Sequence, residues 1–203
     1  MRRPSRAQVR LAPAVRRQQL VDVAARLLSN QGTSGLEVQA VATVACVTRP
    51  VVYRFFPTRL ALIQAVLDEF EFDLSHRFHL ALARTIGKPL PEIAEAFVLA
   101  CCEAIDSKGR GAWQLMYARG ADVEAASLGR ATLGRMLQPW LPRITELTGL
   151  SRQRLTLLAE IVVAAGGAAL DGWLQDTVSQ REAVRLATRT IGALLGEFSP
   201  TDR

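Results

Sequence analysis

The residues whose types and spacing suggest chemistry in this 203-residue chain lie in a short run after Val47. On a wheel of about 100° per residue, Pro50, Tyr53 and Arg54 point to one side with Arg49 and Val51 flanking them, while Val52, Phe55 and Phe56 cluster opposite. A guanidinium fork matches guanine O6 and N7, and a valine side chain suits a thymine methyl. The expected chemistry is recognition of duplex DNA, with Arg49 reading guanine and Val51 touching thymine.

Other constellations point less clearly to chemistry. Asp73, His76 and His79 recur at three-residue steps, a spacing that fits metal ligands on one helix face, but no second cluster matches them, and no metal is assigned. Cys101 and Cys102 are open to two readings, a thiol sensor or small buried hydrophobes. Glu92 with Glu95, and Asp68 with Glu69, are read as solvated charge. A glycine-rich phosphate loop, a serine nucleophile elbow and a histidine paired with a nucleophile are all missing, so neither enzyme activity nor a cofactor is expected.

The net charge of +6 is unevenly placed. Residues 1–60 carry ten arginines against Asp22 and Glu37, a balance of +8; the remainder carries −2. Positive charge therefore sits on the segment that holds the candidate reading residues, as attraction to phosphate requires. No run approaches the roughly 18 uninterrupted apolar residues of a membrane helix, and the arginine-studded start lacks a signal-peptide apolar stretch. Cys46, Cys101 and Cys102 form no disulfide framework, so a cytoplasmic protein with no membrane partner is expected.

The elements that must position these residues are all helical. Residues 1–14 read as a flexible basic arm. From Val15, Leu20, Val23, Ala24, Leu27 and Leu28 share one face, Arg16 and Arg17 stand in the opening turns as candidate DNA contacts, and Gly32 closes the helix. A second helix is expected over Leu36–Val44, a tight turn over Ala45–Val47, and a third helix from Thr48, capped by the Thr48 hydroxyl and stopped by Pro57. Ala42 is small where the two helices would cross, with Val41, Val47 and Val52 to pin them. This is a helix-turn-helix, whose second helix enters the major groove.

The spacing of Gly32, Val41-Ala42, Ala45-Cys46-Val47-Thr48, Tyr53, Phe56, Arg59 and Leu62 resembles the N-terminal signature of tetracycline-repressor-like (TetR) regulators. The resemblance covers about residues 15–65. It implies phosphate contacts for Thr48, Tyr53 and Arg59. Cys46 and Pro50 replace common glycines and Phe55 a common histidine; a Cβ in the left-handed turn at Cys46 costs about 1–2 kcal/mol.

The body follows as an amphipathic series. Ile63, Val66, Leu67, Phe70, Leu74 and Phe78 mark a long helix from Leu60; further helices follow Gly87 and Gly109; and a region from Asp122 to Thr148 bends near Pro139 and Pro142. The resemblance implies an apolar effector cavity, for which Phe97, Cys101, Trp113, Met116, Tyr117 and Trp140 are candidates, packed core being the other reading. It also implies a four-helix dimer interface, assigned to Leu158, Val162, Gly166, Ala169 and Trp173 on one helix and Val184, Thr188, Ile191 and Leu195 on the next; the alternative is that these stripes face the subunit's own core.

The expected architecture is all-α: a helix-turn-helix DNA-binding domain over 15–60 and an effector-binding and dimerisation body over 61–203. The implied function is a ligand-responsive repressor that binds a palindromic DNA operator as a homodimer and is released by a small, largely apolar effector. A thiol- or metal-responsive DNA-binding sensor and a nonspecific DNA-coating protein are the alternatives.

Overall fold

Helix α1 spans Pro13–Gln31, and one residue sets each of its ends. Pro13 occupies the first turn, where its missing N–H removes no helical bond. Gly32 ends the helix at φ 66°, in the left-handed region that a side chain disfavours, and donates its N–H to the Leu28 carbonyl at 2.9 Å. The computed structural model describes residues 11–117 and 122–197; residues 1–10 of the expected arm, Phe198, and the side chains of Tyr117 and Trp140 lie outside the described part. The α1 stripe Leu20, Val23, Ala24, Leu27 and Leu28 is buried, joined by Val21.

Helix α2 covers Val38–Val44 and α3 covers Arg49–Phe55. Leu36 does not open α2 as expected. A 3₁₀ turn occupies Thr33–Gly35, and Leu36 has φ −90° and ψ 53°, its carbonyl accepting a hydrogen bond from Arg59 at 3.2 Å. Between the helices, the Val47 N–H closes on the Ala42 carbonyl at 2.9 Å and the Cys46 N–H on Thr43 at 3.2 Å. Cys46 keeps the left-handed conformation at φ 54° despite its Cβ. Val41, Ala42 and Val52 are buried at the crossing, with Val47 half-buried against them. Thr48 stands at the cap position of α3, but its hydroxyl makes no capping hydrogen bond, contrary to expectation.

Helix α4, Arg59–Arg84, is the spine. At about 1.5 Å per residue, its 26 residues reach about 39 Å. Thr58 caps it by accepting the Ala61 N–H at 3.0 Å. Its expected stripe from Ile63 to Phe78 is buried, and the helix packs against α1 in the head and three body helices.

The body continues as α5 (Leu90–Lys108), α6 (Arg110–Tyr117), α7 (Val123–Leu137), α8 (Leu141–Thr148), α9 (Arg152–Leu174) and α10 (Gln180–Gly196). The expected bend is a 3₁₀ turn at Gln138–Trp140 containing Pro139. α9 and α10 pack on each other, and α10 also on α5. No strand occurs among the described residues. One hydrophobic cluster runs from Leu20 in the head to Ile191 in the body. Where α6 meets α1, a Cβ on Gly111 would stand 2.6 Å from the Ser29 nitrogen, so only glycine permits this approach.

Cys46→Gly should therefore stabilise the protein. Relief of about 1–2 kcal/mol of strain exceeds the extra unfolded-state entropy of glycine, about 0.5–1 kcal/mol, and the net gain of about 0.5–1 kcal/mol is readable as a higher urea midpoint. A lower midpoint would mean that the Cys46 side chain contributes more than its strain.

Candidate nucleic-acid interface and body cavity

Helix α3 is anchored by its back. Val52 is fully buried and Phe56, just past the helix, nearly so, which leaves Thr48, Arg49, Pro50, Tyr53 and Arg54 exposed and Val51 half-buried. Arg49 Nη2 donates to the Tyr53 hydroxyl at 3.3 Å, and its guanidinium stands 5.8 Å from the centroid of that ring. The two residues lie one turn apart, so this contact aims the fork outward while leaving its other N–H groups available. Arg54 lies 5.0 Å from the Phe55 ring centroid, and Arg17 of α1 lies 5.3 Å from that of Phe56, which brings the opening turns of α1 beside the end of α3. Arg16 bonds to Gln19 within α1. Exposed cation–π contacts are worth about 0.5–1 kcal/mol, enough to bias these arginines without holding them from a phosphate or base.

Arg59 departs from the expected phosphate role. Its guanidinium turns inward, with Nη2 donating to the Thr33 carbonyl and the Asp122 carboxylate, both at 2.6 Å, and Nε to the Leu36 carbonyl. As the first residue of α4, it faces the carbonyls that the 3₁₀ turn leaves without helical partners. Asp122 caps α7 through the Ala125 N–H at 3.1 Å. The Arg59 hydrogen bond, aided by that N–H and opposed by burial, holds the Asp122 carboxyl below the usual carboxylate range. Nothing in the sequence joined these two residues, which are 63 positions apart.

Further polar ties cross from head to body. Gln18 and Lys108 both donate to Glu69, at 2.9 and 3.4 Å. Arg110 reaches the carbonyls of Ser29 and Leu174, each at 3.0 Å.

In the body, α6, α7, α8 and α9 line a half-open cavity of about 400 Å³. A smaller apolar cavity of about 30 Å³ adjoins it, and Met116, Leu133, Leu137, Val163 and Gly167 line both. Phe97, Cys101, Trp113 and Met116 line the smaller one, where Phe97 stacks on Phe78 at 4.1 Å between centroids. Tyr117 and Trp140 are outside the described side chains. Sequence reasoning missed the polar lining of the larger cavity, Arg130, Gln138, Thr156, Glu160 and Asp171. The one available signal was an acid at the end of the apolar run AAGGAALDGWL.

The thiols are poorly placed for sensing. Burial pushes the Cys101 thiol well up, and burial followed by the nearby Asp106 charge pushes Cys102 to about 11, so the reactive thiolate is scarce. His79 Nδ1 lies 2.6 Å from the Ser75 carbonyl, and Asp73 accepts from Arg77 at 2.8 Å. No group of three metal-ligating side chains comes together among the described residues.

The residues assigned to a dimer interface divide. Leu158, Gly166, Val184 and Ile191 are buried in their own subunit: a Cβ on Gly166 would meet Ile191 Cδ1 at 3.3 Å, so these stripes of α9 and α10 pack on each other. Val162, Ala169, Trp173, Thr188 and Leu195 are half-buried. The exposed apolar residues stand one column away. Leu157 is 60% exposed, Ile161 46%, and Leu186 on α10 43%. Gln153–Leu174 is long and apolar enough to cross a membrane by length and composition, and 39% of its apolar stretch is buried in the subunit.

Residues 20–66 match the family model of bacterial regulatory proteins, tetR family. No curated protein matches the chain. Among solved structures, it is similar to a tetR-family transcriptional regulator from Streptomyces coelicolor at 22% identity, covering 95% of this chain and 93% of that one, with a TM-score of 0.61. A TetR-like transcriptional regulator from Rhodococcus sp. RHA1 is 21% identical, with coverages of 93% and 97% and a TM-score of 0.63. The regulator FadR from Bacillus subtilis, solved in complex with stearoyl-CoA, is 13% identical, with coverages of 88% and 97% and a TM-score of 0.61. At these identities the likeness is one of fold.

Asp122→Asn tests the junction. A depressed folded-state pKa contributes stability that is present above the unfolded value, about 3.9, and lost as pH falls through the folded value. Urea unfolding should show the variant less stable by about 1–2 kcal/mol, the charged hydrogen bond being discounted for partial exposure. That gap should hold from about pH 8 to 5 and narrow below about pH 4. Equal stability at neutral pH would sink the assignment.

Proposed function

We propose that this chain, a DNA-binding transcriptional regulator of the TetR family, is a repressor that binds a palindromic operator as a homodimer in the cytoplasm and leaves it when a small, largely apolar effector enters the body. The observation that carries the DNA half is the face of α3. Its buried back fixes the helix, while Thr48, Arg49, Tyr53 and Arg54 stand exposed with the Arg49 fork steered by Tyr53. Arg49 and Val51 read bases; Thr48, Tyr53, Arg54, Arg16 and Arg17 position the backbone, and Pro50 fits the groove between them.

The junction supports release. Helix α7 lines the larger cavity through Arg130, Leu133 and Leu137 and begins at Asp122, which Arg59 ties to the turn before α2. An effector that fits one position of α7 better than another shifts the population of head spacings, and two recognition helices then no longer match successive major grooves. The FadR structure contains stearoyl-CoA, so an organic effector is compatible with this fold. Dimerisation is assigned to the exposed column of α9, where Leu157 and Ile161, each already about half covered, would each gain about 1 kcal/mol on burial of the rest.

Footprinting on the chain's own promoter region at moderate salt should give a protected site with twofold symmetry; protection of indefinite length would favour a DNA-coating protein instead. Arg49→Ala should lose about 1–3 kcal/mol of operator binding and relax preference at one base per half-site. Equal losses on all sequences would refute base reading. Ile161→Glu should yield a monomer by sedimentation and abolish operator binding, and a dimer that persists would move the interface elsewhere.

A further inference from the structure

The head meets the body at a second point, built by the run Gly109-Arg110-Gly111 where α5 gives way to α6. Gly109 ends α5 at φ 86°, and a Cβ on it would stand 2.6 Å from Ser29 Oγ. Gly111 is buried, and a Cβ there would meet the Ser29 nitrogen at 2.6 Å and the Leu28 carbonyl carbon at 2.7 Å. The turn can therefore close on the last turn of α1 only because both places lack a side chain.

The polar contacts converge on the same residue. The Gly111 N–H, in the first turn of α6 where helical acceptors are missing, donates to Ser29 Oγ at 3.0 Å. Arg110 Nε donates to the Ser29 carbonyl and Nη1 to the Leu174 carbonyl, each at 3.0 Å. Ser29 lies in the last turn of α1 and Leu174 is the last residue of α9, so both carbonyls belong to helix ends that carry partial negative charge and suit a cation. The guanidinium fork is planar, and its two bonds form together only when the two helix ends stand in one relation. Arg59 grips the same link further on, at Thr33 and Leu36. Residues 29–36 are thus held at both ends, to α7 through Asp122 and to α6 and α9 through Arg110.

We infer that Arg110 is a positioning residue for operator recognition: by holding the end of α1 to the end of α9, it sets the separation of the two recognition helices and hence the half-site spacing that the dimer accepts. The inference rests on the homodimer reading above, in which α9 packs against its copy. Once α9 is fixed against the partner, whatever ties α1 to α9 fixes each head's distance from the twofold axis. Two linked heads gain over one only when their separation matches that of the half-sites, about 34–36 Å for successive turns of the groove. The partners of Arg110 lie at the far end of α1 from Arg16 and Arg17, so the reading of one half-site by one head does not depend on it.

The test uses the full-length protein and the palindrome that footprinting recovers, as labelled duplexes: the native site, a single half-site, and palindromes whose centre is lengthened or shortened by one or two base pairs. Wild-type protein should prefer the native spacing. Arg110→Ala should lose about tenfold on the native palindrome, keep its half-site affinity, and discriminate less between spacings. Arg110→Lys, which keeps the charge without the fork, should fall between the two. Gly111→Ala, which pushes α1 from α6, should flatten the spacing preference at least as far; the surface change at Arg110 keeps the test independent of whether that variant folds. Equal losses on half-site and palindrome, a spacing preference that survives Arg110→Ala, or an Arg110→Ala protein that sediments as a monomer would each overturn the inference and leave the homodimer reading standing. A wild-type protein that is monomeric, or that binds palindrome and half-site alike, would overturn both.

Discussion

The Arg59 guanidinium is the constraint on which the relation between head and body depends. It satisfies the Thr33 and Leu36 carbonyls, which the 3₁₀ turn leaves without helical partners, and the Asp122 carboxylate that opens α7. Arginine suits this place because its planar fork offers several N–H donors in fixed directions, whereas a lysine ammonium would concentrate its charge at one point. Three segments distant in sequence thereby meet at one side chain. The orientation of the helix-turn-helix on α4 is consequently tied to where α7 begins.

Beyond that junction, rigidity and adaptability are divided within single helices. In α3 the back is buried around Val52, while the front is held by weak contacts such as Arg49 over Tyr53 and Arg54 over Phe55. A fixed back sets the direction in which the outward face points, and the arginines on that face are held only by exposed cation–π contacts worth about 0.5–1 kcal/mol. The left-handed Cys46 shows how strictly the turn is imposed, since burial of Val41, Ala42 and Val52 outweighs a strain of about 1–2 kcal/mol.

Helix α9 presents three different sides. Gly166 faces α10, Leu158 is buried, Glu160 and Asp171 line the cavity, and Leu157 and Ile161 remain exposed. A helix apolar on nearly all sides looks anomalous in one subunit. On the reading proposed above, a bound molecule and a second copy of the chain would cover the two sides that do not meet the core.

What the sequence determined by itself was whatever follows from local periodicity and local chemistry. The all-helical class, the cap at Gly32, the turn between α2 and α3, the buried stripe of α4 and the outward set on α3 are properties of residues a few positions apart, and they were legible. Only the tertiary structure decided the partners of groups far apart in the chain. The phosphate role expected for Arg59 gave way to carbonyls and a carboxylate that no spacing links to it. Leu158 and Ile191 share the apolar character of Leu157 and Leu186, yet the first pair is buried within the subunit and the second exposed. Periodicity reveals that a helix has an apolar face; which neighbour covers it depends on how the helices assemble.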